Sequence, residues 1–469
     1  WFSDAWDPMS YGQNYDSERS FFAQLQDLQE KVPRPHQLGA NNVNCDWCDD
    51  VWSCKNSYLC RHSLECENLS YGCRNVRVKD SFNTVYCFNL QFCNDCLFCS
   101  DSYGLLFSEN SRDCIDSYFL YDCRNCQDCF MSWNLRNKRY CIRNVQYTKE
   151  DYEDQIKKIK LDSNLELLKL RSEFWEILKS KAVHRENQNF RCTNSSGNYM
   201  TDCDKCVNVF SWESSQNCRN CLRGLMSKDS IDLFISWKLE LSGNLSTMSG
   251  GYAVKNSACS DGKYSEYIDV CRDVEYCFGC VGLRKKKYCI LNKQYSETEY
   301  NTLKAEIVAD MEKRGEYGEF FPYSFGLTSY NLTNGAIYSP QATRQDILDL
   351  GGYWSDEDLS QNDGMPAEDM PDSILETPKD IISKALICPQ TSYRFNISES
   401  EYEFHKHKGI ALPRVHFDKR ILDKMRKISV IDSYPYKCSY CQKDIGAHYP
   451  HEWGYRKIAC EECYKQNIA

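Results

Sequence analysis

From Asn41 to Asn144, short apolar stretches of Val, Tyr, Phe and Leu alternate with Asn, Asp and Ser, and cysteine punctuates both. The cysteines stand at 45, 48, 54, 60, 66, 73, 87, 93, 96, 99, 114, 123, 126, 129 and 141. Cys48, Cys54, Cys60 and Cys66 lie six apart, whereas Cys45, Cys66 and Cys87 lie 21 apart. A short step nested in a longer one predicts a β-solenoid with a coil of about 20 residues and three faces. Asn, Asp and Ser would take the corners, because they tolerate turn conformations and bond to nearby backbone.

A second, sparser array runs from Cys192 to Cys289 and is interrupted by Gly250-Gly251. Its end repeats the end of the first. LRNKRYCIRNVQYTKEDY, closing array one, corresponds to LRKKKYCILNKQYSETEY, closing array two. A helical pattern follows each copy: Ile156, Ile159, Leu165, Leu168, Trp175 and Leu178 within 149–182, then Leu303, Ile307 and Met311 ahead of a Gly315 stop. These helices are expected to cap the solenoid ends, where an exposed strand edge invites addition of another chain.

The predicted fold is therefore mainly β with α caps. It divides into a lead-in strap (1–40, with a short helix closed by Pro33 and Pro35), a first solenoid (41–148), a capping helix (149–188), a second solenoid (189–295), a second capping helix (296–315), an aromatic then acidic linker (316–378) and a C-terminal zinc-ribbon domain (379–469).

The last of these carries the clearest chemistry. Cys438 and Cys441 form one Cys-X-X-Cys pair, and Cys460 and Cys463 form another. Two such turns present four thiolates to one structural zinc and leave no open position for catalysis. Cys388 opens CPQTSYRF, where a matching turn would want a cysteine at Thr391, and His416 lies downstream; the pair reads as an eroded or additional metal site. His448 and His451 are read as surface residues. In the arrays, three roles stay open for the thiols: apolar packing groups, metal clamps between coils, or disulfides.

Composition adds three constraints. Thirty cysteines in 469 residues exceed ordinary usage, yet a chain this long can bury a core without disulfides, so a reducing cytoplasm, or a particle assembled in one, is favoured over an extracellular disulfide-bonded protein. No apolar run approaches the length of a membrane span. The net charge of −10 argues against a general polyanion binder, but it is uneven. Asp346–Glu376 holds ten acidic residues and no Lys or Arg, while Lys406, Lys408, Arg414, Lys419, Arg420, Lys424, Arg426 and Lys427 form a candidate polyanion-binding stretch. There is no phosphate loop, metalloprotease helix or nucleophile elbow, so the chain reads as non-enzymatic.

WFSDAWDPMSYGQNYD, FFAQLQDLQEKVPR, GGYWSDED, CPQTSYRF, LPRVHFDKR and the final CEECY, in that order, resemble an uncharacterised family of cysteine-rich zinc-binding proteins of candidate-phylum bacteria and their viruses. The resemblance implies zinc at Cys438, Cys441, Cys460 and Cys463 and supports the eroded site at Cys388; it implies no activity. The functional expectation is a structural protein that forms homo-oligomers or larger assemblies through its solenoid faces. The alternatives are a nucleic-acid- or ribosome-associated zinc protein and a thiol-rich metal store.

Overall fold

Every third residue from Asn41 to Arg143 has a positive φ, and all but Gly104 carry a side chain. This rule organises the computed structural model, which describes residues 3, 5–35, 37–333, 335–358, 360 and 363–468. Parts of the predicted strap (1, 2, 4 and 36), linker (334, 359, 361 and 362) and ribbon domain (469) lie outside the described residues. Each left-handed residue is a corner. The residue after it points inward, and the next pairs with its neighbours in a parallel ladder. Four triplets close a coil, because registers advance by 12 residues: Val43 pairs with Lys55, Lys55 with Glu67, and Cys129 with Cys141. The coil is thus shorter than the predicted step of about 20 residues, and it has four inward positions rather than three faces.

Corner conformations disfavour most side chains, and Asn and Asp tolerate them best. They also form ladders there. Asn44, Asn56, Asn68 and Asp80 are linked one coil apart by side-chain hydrogen bonds of 3.1, 3.1 and 2.7 Å.

Backbone accounting explains the cysteine. In each triplet the ladder residue donates to the next coil, as Lys55 N–H does to Cys66 O at 2.9 Å. The corner residue donates to the previous coil, as Leu59 N–H does to Asp46 O at 3.1 Å. The third N–H, on the inward residue, faces the core. A buried donor needs a partner, and the inward side chain one coil before supplies it where that residue carries an acceptor. Cys60 N–H meets Cys48 Sγ at 3.4 Å, and Cys129 N–H meets Ser117 Oγ at 3.0 Å. Cysteine fills the space like a small hydrophobe while still accepting a weak hydrogen bond. Leu69, Leu90, Leu105 and Leu120 fill other inward positions, and together these groups form the core column. Ser117→Ala should therefore cost about 1–3 kcal/mol by orphaning the Cys129 amide, and Ser117→Cys less, as measured by chemical denaturation.

The second solenoid follows the same rule with two slips. Phe190 bridges Thr201, and Gly251 pairs with Gly262, so two coils have 11 residues and the inward phase shifts by one each time. The second slip lies between the left-handed Cys259 and Tyr264, one coil after Gly250-Gly251, and coiling continues through both.

Both solenoids end alike, which accounts for the repeated Asn and Gln-Tyr. Arg139–Ile142 and Lys287–Ile290 are the last ladder strands, and Val145–Gln146 and Lys293–Gln294 turn back to pair with them antiparallel. Asn144 and Asn292, both left-handed, donate to Trp133 O at 2.9 Å and Val281 O at 2.7 Å. The return strand covers an edge that would otherwise template another chain.

The chain forms two units: residues 1–36 with 187–355, and 37–186 with 356–469. The strap belongs with the second solenoid. Its helix α1 (Phe21–Lys31) packs Phe21, Leu25 and Leu28 against Tyr267, Phe278 and Leu291, and Gly279 leaves room for the Phe21 ring. The predicted helix over 149–182 is two, α2 (Lys149–Ile156) and α3 (Asn164–Ser180). The inward face of α3 is Leu167, Leu170, Phe174, Ile177 and Leu178; Leu165 and Leu168, expected inside, are exposed. It packs on the aromatic corner residues Phe107 and Phe119, joined there by Phe130, so it flanks the solenoid wall as well as its end. Helix α4 (Glu297–Arg314) buries Tyr300, Ile307 and Met311 and stops at left-handed Gly315, as the pattern predicts. The linker divides between the units at Ser355 and contains α5 (Gly335–Tyr338) and α6 (Arg344–Asp349). Beyond it lie α7 (Glu399–Lys408), α8 (Phe417–Ile428) and α9 (Glu461–Asn467).

Candidate metal centre

Strands Tyr434–Lys437 and Asp444–Ala447 form a hairpin whose tip carries Cys438 and Cys441. Strand Ile458–Ala459 then delivers Cys460 as the N-cap of α9, with Cys463 in its first turn. The four sulfurs lie within 4.8 Å of one another, and Cys441 Sγ is 3.8 Å from Cys460 Sγ. Thiolates bonded at about 2.3 Å to a tetrahedral ion stand about 3.8 Å apart. The geometry therefore fits a metal ion, as the spacing predicts. Burial pushes the Cys438 thiol up, but the N–H groups of Cys441, Cys460 and Tyr440 outweigh it and hold the group at about 6, which favours the thiolate ligand form. His448 instead bonds to Asp432 O at 3.0 Å, and His451 packs edge-on to Tyr434.

The ribbon is stitched to the first solenoid within its unit. His184–Arg185 add a parallel strand to Ile458–Ala459, and Tyr464 bonds to Asp122 and to Arg136 Nη2 at 2.6 Å. His184 is fully buried, stacked on Tyr455 at 3.8 Å and bonded to Tyr121 at 2.6 Å; burial lowers its pKa to about 4, so it is neutral.

Cys388 and His416 occupy a second copy of this framework. Cys388 N–H donates to Tyr393 O at 2.9 Å and Ser392 N–H to Cys388 O at 2.9 Å, matching Cys438 to Lys443 (2.9 Å) and Gln442 to Cys438 (3.0 Å). Ser392 and Gln442 are both left-handed. His416 is the N-cap of α8, as Cys460 is of α9. The other two ligand positions hold Thr391 and Lys419. Lys419 pairs with Asp423, and His416 Nδ1 accepts the Asp418 N–H at 3.2 Å. Among the described residues, only the four ribbon cysteines form a group of three or more metal-type ligands.

The predicted basic stretch is not gathered into an open patch. Lys424 and Lys427 pair with Asp95 and Glu109 on the first solenoid, and Arg420 pairs with buried Glu401 at 2.9 Å beneath Tyr71. Arg414 donates to Glu368 O, Met370 O and Pro371 O, and Lys406 to Ile374 O and Leu375 O. Lys408 lies over Phe92, and Arg426, like Lys419, is next to Asp423. Lys408, Arg420, Lys424 and Lys427 thus dock α7 and α8 on the solenoid wall, while Lys406 and Arg414 hold the preceding segment and Lys419 and Arg426 pair within α8. The signal for this role lies in every twelfth residue, where Leu59, Tyr71, Asn83, Asp95, Phe107 and Phe119 form a wall that needs a cover.

No family model matches the chain, and no curated protein matches it. Among solved structures, one described as a candidate acetyltransferase from Desulfovibrio desulfuricans G20 aligns with 59% of this chain and 81% of its own length, at 10% identity and a TM-score of 0.11. A likeness that low carries no argument about fold or activity.

Proposed function

We propose that this chain is a structural protein that assembles with other protein chains through its first solenoid, with zinc in the ribbon fixing the cover on that solenoid's wall. The carrying observation is the solenoid's uneven ends. Its last coil is closed by a return strand, but among the described residues strands Gly39–Ala40 and Val43–Asp46 of the first coil each have one ladder neighbour. At that mouth Trp47 is 80% exposed and Val43 55%. An unpaired edge beside exposed apolar groups is a template for association.

None of the thirty cysteines is paired in a disulfide, which favours a reducing compartment for this role. No helix among the described residues is long and apolar enough to cross a membrane. The nucleic-acid reading draws no support from the basic stretch, whose cations are engaged inside the unit. Trp47→Lys combined with Val43→Asp should abolish self-association in light scattering at micromolar concentration while leaving the circular dichroism unchanged. An unaltered assembly, or one dissolved by nuclease, contradicts the proposal.

A further inference from the structure

The inward row of the second solenoid brings five thiols together as a staircase that starts at its own open mouth. Cys192 stands directly above Cys203, because Thr193 bridges Asp204 in the ladder. Cys206 is the next inward position across the same coil, and it stands above Cys218, since Val207 pairs with Arg219. Cys221 is the next position across, under Val209. Each thiol lies near enough to the one before it for the two to influence each other's ionisation, Cys192 with Cys203, Cys203 with Cys206, Cys206 with Cys218, and Cys218 with Cys221. Each donates to a backbone carbonyl, as Cys203 does to Thr201 O at 3.4 Å and Cys206 to Asp204 O at 3.5 Å. Cys192 is half-exposed, and the other four are buried. Met200, another soft sulfur, is buried in the same core.

We propose that this staircase binds soft monovalent d10 cations of the cuprous class, admitted at Cys192 and held between successive thiols. Paired thiolates suit such ions, which accept few ligands, and the sulfurs here come in adjoining pairs rather than the closed foursome of the ribbon. Each cation placed between two thiols forms two metal–sulfur bonds and releases two protons, leaving one negative charge on the pair. The backbone N–H groups of Cys203, Ser215 and Cys218 lie near Cys192, Cys203 and Cys206 respectively and favour that charge. The site is separate from the scaffold reading, which needs no metal in either solenoid.

The test titrates the reduced, zinc-loaded full chain with cuprous ion supplied as its acetonitrile complex under nitrogen, with a cuprous chelator present. Native mass spectrometry counts the retained ions, and thiolate-to-metal charge-transfer absorption reports the bonds. The proposal predicts retained ions that persist in Cys460→Ser, which lacks the ribbon site. Cys206→Ser, cutting the middle step, should lose ions and absorption. Serine already occupies inward positions 195, 215 and 230, so this variant keeps the fold. Cys271→Ser is the control, since the inward positions around that thiol hold Ile268, Val274, Ser260 and Leu283 rather than cysteine; its ion count should match the parent. Retention that disappears in Cys460→Ser, or that is unchanged in folded Cys206→Ser, overturns the proposal.

Discussion

Cys460→Ser should release the bound metal and unfold residues 434–468. Structural zinc in a four-thiolate site contributes on the order of 10 kcal/mol to folding, which exceeds what the small hairpin and α9 gain from their own packing. Cys460 is also the N-cap residue of α9 and donates its N–H to Cys438 Sγ at 3.3 Å, so the substitution removes one of four candidate ligands from a framework that fits a metal ion. The damage should reach one step further. His184 N–H and Glu186 N–H are protected only by Lys457 O and Ala459 O, at 2.8 and 2.9 Å. In hydrogen exchange these two amides should lose their protection together with the ribbon, while the ladder amides of residues 55–129 keep theirs. Retained metal, or amides 184 and 186 that stay slow, contradicts the stitched arrangement.

Gly224→Ala should be a highly destructive single-methyl substitution in the second solenoid. Trp212 is the largest side chain in the inward row, 1% exposed, and its indole N–H donates to Ser215 Oγ at 2.7 Å. The ladder puts Gly224 directly below it. A Cβ at 224 would lie 2.6 Å from the Trp212 ring and 1.9 Å from Ser236 O. Closed coils cannot move one residue without moving the ladder, so the cost should be about 3 kcal/mol or more. The reciprocal change, Trp212→Ala, leaves a cavity that glycine below cannot fill and should cost about 3–5 kcal/mol. Denaturant midpoints of the unit formed by residues 1–36 and 187–355 check both; a Gly224→Ala protein as stable as the parent would mean that the two positions are not stacked.

The solenoid class, the paired end devices, α4 and the ribbon thiols were legible in the chain. Both cysteine steps, six and 21, are multiples of the true three-residue unit. The unit itself is masked because Ser, Leu, Val, Asn and Thr share the inward row, so cysteine marks it irregularly. Cys73 and Cys259 add noise, since Cys73 sits in the ladder row and Cys259 at a corner. Two 11-residue coils shift the phase in the second array and break any single period. The burial of α3 was misjudged for a different reason: its partner is a column of corner residues spaced 12 apart, and helical periodicity alone does not say which of two apolar stripes meets that column. The basic stretch looked like a surface patch because its partners, Asp95 and Glu109, lie more than 300 residues earlier in the chain.

The central claim is that the inward row is a lattice of thiols packed in a dry core, donating to backbone carbonyls and, at Cys48, Cys54 and Cys93, accepting an inward amide. Buried thiols in apolar surroundings react slowly. The direct test is intact-mass analysis after alkylation without reductant, once on the native protein and once in denaturant. The account predicts that the inward-row cysteines resist modification in the native protein and are all modified when it unfolds. Cysteines that remain unmodified in denaturant, with the mass deficit of paired oxidation, would contradict it.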